Sequence, residues 1–184
     1  MPSRVSEGGP GLAIPRTDWY PSFAAAGLHG SLPYEVAHVW LQQTGSLTRA
    51  LQQRCQQRLQ VDVRAEGFAL PRPDEARVLK IPPRQTAWIR EVQLCGDGEP
   101  WVLARTVIPQ ASLTGSGRRL RHLGQKPLGS YLFSRREWRR GPILPGHCHP
   151  DHAAQPSYAR RSCFQTRGHA LLVAEYFLPA LLKR

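Results

Sequence analysis

The sequence predicts an α+β fold for this 184-residue chain, with several antiparallel strands and most helices placed before a central hairpin. Three observations predict it. Two alternating runs flank Gly96-Asp97-Gly98, two helical patterns lie between Leu32 and Arg58, and two strand patterns near the end meet at Gly168-His169. The length suits one domain with a real core. That domain is expected over residues 31–184, after a leader over residues 1–30.

The leader is rich in Gly, Pro, Ala and Ser without clear periodicity, so a mobile or loosely docked segment is expected, with Trp19-Tyr20 as its candidate anchor. Pro33 then stands at a helix-start position, and Val36, Val39 and Trp40 fall on one apolar face. Ser46 reads as the N-cap of a second helix, in which Leu47, Leu51 and Cys55 recur at helical spacing. Gln60 to Phe68 alternates as a strand (Val61, Val63 and Ala65 on one side), with Gly67 marking a bulge or bend. The Pro-rich stretch 70–83 reads as a loop.

The central hairpin, Trp88 to Pro109, turns at Asp97-Gly98, where both residues tolerate positive φ. Trp88, Arg90, Val92 and Leu94 share one strand face. Trp101, Leu103, Arg105 and Val107 share a face of the second strand. Each row is apolar except for one arginine. A guanidinium in an apolar row is costly unless an anion meets it, and that anion is either a protein carboxylate or a bound ligand. Near the chain end Glu175 lies in row with Leu171, Val173 and Phe177, the same anomaly with the opposite sign.

After the hairpin, 112–115 reads as a short turn and 116–124 as a brief helix bearing Arg118, Arg119 and Arg121. Lys126 to Phe133 reads as a loop leading into a helix, with a buried Leu128. The dense basic cluster 135–140 precedes His147, Cys148, His149, Asp151 and His152. These are packed too tightly in sequence for one tetrahedral metal site, and no second cluster supplies partners, so a flexible His-rich loop and no metal are expected. Strands over 163–167 and 170–178 close the chain, and Pro179 ends the last of them.

A net charge of +12 and a pI near 10.6 suggest a polyanionic partner or an anionic substrate drawn in by the field. The missing interleaved aromatic platform argues against nucleic acid. Met1 to Arg16 lacks the apolar core of a secretory signal, and Glu175 and Pro179 interrupt the last apolar stretch before it reaches membrane-spanning length. Four scattered cysteines without a CxxC pair fit reduced thiols in the cytoplasm.

The segments WIREVQLCGDGEPWVLARTVIP (88–109), KPLGSYLF (126–133) and AEYFLPA (174–180), with Tyr158-Ala159-Arg160-Arg161-Ser162 between the last two, resemble the bacterial chorismate–pyruvate lyases of ubiquinone biosynthesis. The resemblance runs from about Leu32 to Ala180. It implies a single antiparallel sheet with helices packed on it and a small enclosed pocket. It also implies a reaction converting chorismate to 4-hydroxybenzoate and pyruvate, without cofactor; a monomer is expected. By the same resemblance Arg90 and Glu175 are the charged pocket groups, Arg90 for a substrate carboxylate and Glu175 for proton transfer at the hydroxyl or ether end. Leu47 and Leu128 become pocket walls, and Arg105 a second arginine in the pocket or at its mouth. Residues 134–157 and the leader depart from the family pattern. The rival reading is a non-catalytic module of the same fold that senses a small carboxylate, because fold alone does not decide function.

Overall fold

The computed structural model of the protein describes residues 11–28 and 32–183. Its elements in chain order are β1 (Arg16–Trp19), α1 (Leu32–Leu41), α2 (Leu47–Arg54), β2 (Leu59–Ala69), α3 (Pro73–Leu79), β3 (Ala87–Gly96) and β4 (Glu99–Pro109). Two 3-10 turns follow, Gln110–Leu113 and Gly115–His122, then α4 (Leu128–Ser134), β5 (Arg139–Arg140), β6 (Leu144–His149), β7 (Tyr158–Thr166), β8 (His169–Phe177) and α5 (Pro179–Leu182). All strand pairs are antiparallel and form one sheet in the order β1-β6-β7-β8-β4-β3-β2, with β5 beside β7. The α+β reading and the single antiparallel sheet both hold.

The β3–β4 hairpin forms as its sequence dictates. Asp97 and Gly98 occupy positive φ, 52° and 84°, the two-residue turn whose twist matches the strands. Gly96 has no room for a side chain, because a Cβ there would overlap the Trp101 indole. Ser46 caps α2 by accepting a hydrogen bond from the Arg49 N–H at 3.3 Å, and Leu47 and Leu51 face the core.

The two faces of the sheet are covered differently. On the front, Ala37 and Leu41 of α1, Leu47 and Leu51 of α2 and Leu181 of α5 pack against Val61, Val92, Ala104 and Phe177. Beside them Leu132 of α4 joins Leu120, Trp138, Ile108, Phe164, Leu171 and Val173. On the back, α3 and Ile81 lie against Ile89, Val107 and Leu172, and Leu12, Ile14 and Trp19 lie against Leu103, Ala174 and Tyr176. No helix among the described residues is long and apolar enough to cross a membrane.

Four local expectations are corrected. The expected leader is not uniform: its first ten residues lie outside the described residues, but Arg16–Trp19 is the edge strand β1, paired with β6. Trp19 anchors it, edge-on to Tyr176 at 6.1 Å and under the Arg161 guanidinium at 4.5 Å. A strand of four half-exposed residues is too short to leave a period in the sequence.

The His-rich segment is not a free loop. His147 and His149 sit in β6, the first contacting the Ala26 carbonyl at 2.9 Å and the second the Asp18 carboxylate at 2.6 Å. That hydrogen bond from His149 holds the Asp18 carboxyl below its ordinary range. Residues 73–79 form α3 instead of a loop. Pro73 opens it, Glu75 accepts from the Arg72 N–H at 2.8 Å, and Lys80 ends it at φ 54°. Finally, α1 buries Ala37 and Leu41 and leaves Val36 and Val39 exposed, because the short Ala37 allows a closer approach to β7 than the valines would.

Candidate functional site

The register of the central strands puts the charged anomalies in place. Arg90 of β3 stands opposite Thr106 of β4 and Glu66 of β2, while Glu175 of β8 stands opposite Ala104 of β4 and Arg160 of β7. All of these side chains belong to the front face. Above that face, the N-terminal ends of α2 and α4 close a cavity lined by Leu47, Val61, Arg90, Val92, Leu94, Ala104, Thr106, Leu128, Leu132, Phe133, Arg140, Arg160, Phe164, Val173 and Glu175, among others. The two helix ends meet closely at Gly129, where a Cβ would lie 3.0 Å from Thr48 Oγ1. Leu47, Arg90, Leu128 and Glu175 are therefore brought together by the fold, with apolar walls between the charges.

Arg90 is almost wholly buried. Its Nη1 donates to Glu66 Oε1 at 2.9 Å, and Nη2 donates to the carbonyls of Gly124 at 2.6 Å and Lys126 at 3.4 Å. A bulge in β2 between Val63 and Ala65 shifts the register and delivers Glu66 opposite Arg90. The guanidinium is thus fixed from two sides before any ligand arrives, as a carboxylate-gripping fork requires.

Glu175 has a different partner from the one its sequence anomaly suggested. It does not pair with Arg90. Arg160 Nε donates to Glu175 Oε2 at 2.6 Å, and Arg140 Nη2 stands 3.8 Å from the same oxygen. Arg160 is fully buried, and its Nη1 donates to the carbonyls of Trp40, Leu41 and Gln43 at 2.9, 3.4 and 2.5 Å. These carbonyls lie at and just beyond the C-terminal end of α1, where the helix presents backbone oxygens and the negative end of its dipole. The C-terminus of α1 holds the arginine, and the arginine holds the glutamate. Burial, with the adjacent Arg160 charge, lowers the pKa of Arg140 to about 10, against the favourable pull of Glu175.

Arg105 requires a correction. It lies opposite Glu91 on the back face, separated from the cavity by the sheet itself. There Nε and Nη2 donate to the two oxygens of Glu75 at 2.7 and 3.0 Å, and Nη1 donates to Glu91 Oε1 at 2.6 Å. Burial opposes the charge on Arg105, but Glu75 and Glu91 outweigh it and hold the pKa above the ordinary arginine range. This is a structural network, with both carboxylates buried.

Sequence reading missed Glu66, Thr106, Arg140 and Arg160. Arg160 stood in the Arg160-Arg161-Ser162 motif and Arg140 in the basic cluster, so the signal was visible but not resolved from solvated charge. Among the described residues no group of three or more His, Cys, Asp and Glu side chains could hold a metal ion. Burial pushes the Cys148 thiol up to about 11, which makes it a poor nucleophile. A chelator is accordingly expected to leave both melting temperature and turnover unchanged; a chelator-sensitive activity restored by zinc would contradict this.

Comparison with known proteins places these observations in a family. The model of the family "Chorismate lyase" matches residues 28–184. A "Probable chorismate pyruvate-lyase" of Marinobacter nauticus is 55% identical over 181 residues, covering 98% of this chain and 96% of the relative. A "Chorismate pyruvate-lyase" of Hamiltonella defensa is 42% identical over 151 residues, 81% of each. Among solved structures, PhnF of Mycobacterium smegmatis aligns with TM-score 0.54 at 14% identity, covering 92% of this chain and 90% of that one. At that identity the likeness concerns the fold alone.

Proposed function

The chain belongs to the chorismate lyase family, and from that premise we propose that it converts chorismate to 4-hydroxybenzoate and pyruvate in the front cavity. It is a lyase acting on chorismate. The carrying observation is the placement of Arg90 and Glu175 on one sheet face, under an apolar cover formed by Leu47 and Leu128.

The reaction asks little covalent chemistry of the protein. The ether bond at ring carbon 3 breaks, its electron pair leaves with the enolpyruvyl oxygen, and the proton on carbon 4 is lost. The electrons of that C–H bond form the new ring double bond, and the enol takes a proton to become pyruvate. Aromatisation supplies much of the driving force, so the site must orient the substrate, hold its charges and move a proton. Arg90 is suited to the ring carboxylate, held as it is by Glu66 and two carbonyls. Glu175 is suited to the opposite, hydroxyl-and-ether end. Its Oε2 is occupied by Arg160, and among the described residues Oε1 accepts no hydrogen bond, so Oε1 is the oxygen open to a ligand. The scheme uses one small-molecule substrate and calls on no nucleic acid, no membrane and no second copy of the chain.

The test is direct. Purified protein given chorismate should release 4-hydroxybenzoate and pyruvate in equal amounts without added metal. A well-folded protein that shows no turnover but binds another small carboxylate tightly would favour the sensing module instead.

A further inference from the structure

The charges around the cavity do not balance, and the imbalance lies at one end. Arg90 is matched by Glu66. At the other end two guanidinium groups, Arg140 and Arg160, share the single carboxylate of Glu175. Two further observations mark the same spot. Arg160 Nη2 is buried and finds no hydrogen-bond partner among the described residues. Arg140 is tied by Nε to Ser162 Oγ at 2.8 Å and by Nη1 to the carbonyls of Gln43 and Thr44, both at 3.4 Å, while its Nη2 stands 3.8 Å from Glu175 Oε2, outside hydrogen-bond range. A buried cation in excess is an arrangement built to receive an anion.

The substrate supplies that anion. Its ring carboxylate and hydroxyl lie across the ring from one another, and the enolpyruvyl ether is attached beside the hydroxyl carbon. With the ring carboxylate at Arg90, the second carboxylate, on the enolpyruvyl arm, falls at the Glu175 end. We propose that Arg140, together with Arg160, receives the enolpyruvyl carboxylate and so distinguishes the dianionic substrate from the monoanionic product. The inference rests on the reading of the site given above. The depressed pKa of Arg140 fits a guanidinium that lacks a full counter-charge until substrate arrives. Once the ether breaks, pyruvate carries that carboxylate away, and 4-hydroxybenzoate has no second carboxylate to offer the two arginines.

The experiment compares wild type with Arg140→Gln and Arg140→Lys. In Arg140→Gln the KM for chorismate should rise by about 10–100-fold, the range of a lost charge-assisted bond. The Kd for 4-hydroxybenzoate should stay within about two-fold of wild type. Arg140→Lys, which keeps the charge without the fork, should recover part of the loss, and it carries the test alone should the glutamine variant not fold. An unchanged KM, or a parallel loss of 4-hydroxybenzoate affinity, overturns the proposal, because Arg140 would then only support Glu175. A wild-type protein without turnover overturns the parent reading before any variant is made, so the two failures are distinguishable.

Discussion

Turnover of chorismate should fall by about 10²–10⁴-fold in a Glu175→Gln variant, while 4-hydroxybenzoate binding changes far less. Glutamine keeps the shape of the side chain, and its carbonyl can accept the bond that Arg160 Nε now gives to Oε2 at 2.6 Å. What it cannot do is take up or release a proton. The separate partners of Arg90 and Glu175 make this experiment cleaner than an Arg90–Glu175 bridge would have allowed. Removing the charge of Glu175 leaves the Arg90–Glu66 pair at 2.9 Å intact, so the grip on the ring carboxylate should survive. The competing account treats Arg160–Glu175 as a bridge that merely holds β7, β8 and the end of α1 together. It expects a lower melting temperature and normal turnover in the folded fraction. Melting temperature, 4-hydroxybenzoate affinity and turnover should therefore be measured on the same preparation. A stable variant with wild-type turnover would remove Glu175 from the chemistry.

Much of the site was legible because a charge in an apolar strand row is visible without any structure. Arg90 and Glu175 stand out by period-two alternation alone, and Leu47 and Leu128 follow from family motifs at two helix starts. Which charges meet was not legible, because pairing depends on register. An unbroken ladder from the Asp97-Gly98 turn would set Arg90 opposite Arg105 on one face. The irregularity between Leu94 and Cys95, opposite Trp101, inserts one residue and pairs Arg90 with Thr106 instead. That single residue turns Arg105 to the other side of the sheet. The bulge near Arg64 acts likewise on β2, bringing Glu66 to Arg90. Neither bulge has a glycine or proline at its centre to announce it. The same limit hid α3: its Pro-Asp-Glu start resembles a loop until Glu75 is seen to answer Arg105 from across the back face.

Arg105→Met should destabilise the fold by about 3–5 kcal/mol, the range for a buried pair broken on one side only, without weakening 4-hydroxybenzoate binding in the folded protein. The methionine fills most of the space, but Glu75 and Glu91 are left with no cation, at 4% and 7% exposure. The damage spreads beyond the pair. Glu75 also accepts from the Arg72 N–H at the start of α3, and Glu91 accepts from the Leu12 N–H at 2.8 Å, which fixes the N-terminal segment to the sheet. The second contact of α3, Arg161 Nη1 with Asp74 Oδ2 at 2.6 Å, is half open to solvent on the aspartate side and cannot replace the first. Replacing Glu75 and Glu91 by glutamine alongside Arg105→Met should return much of the lost stability, because the cost lies in the stranded charges. Denaturant unfolding of the single and triple variants gives the stability, and titration with 4-hydroxybenzoate gives the binding. The outcome that would contradict the assignment is a stable Arg105→Met protein whose ligand affinity has collapsed. Arg105 would then act in the cavity across the sheet from where its three hydrogen bonds hold it.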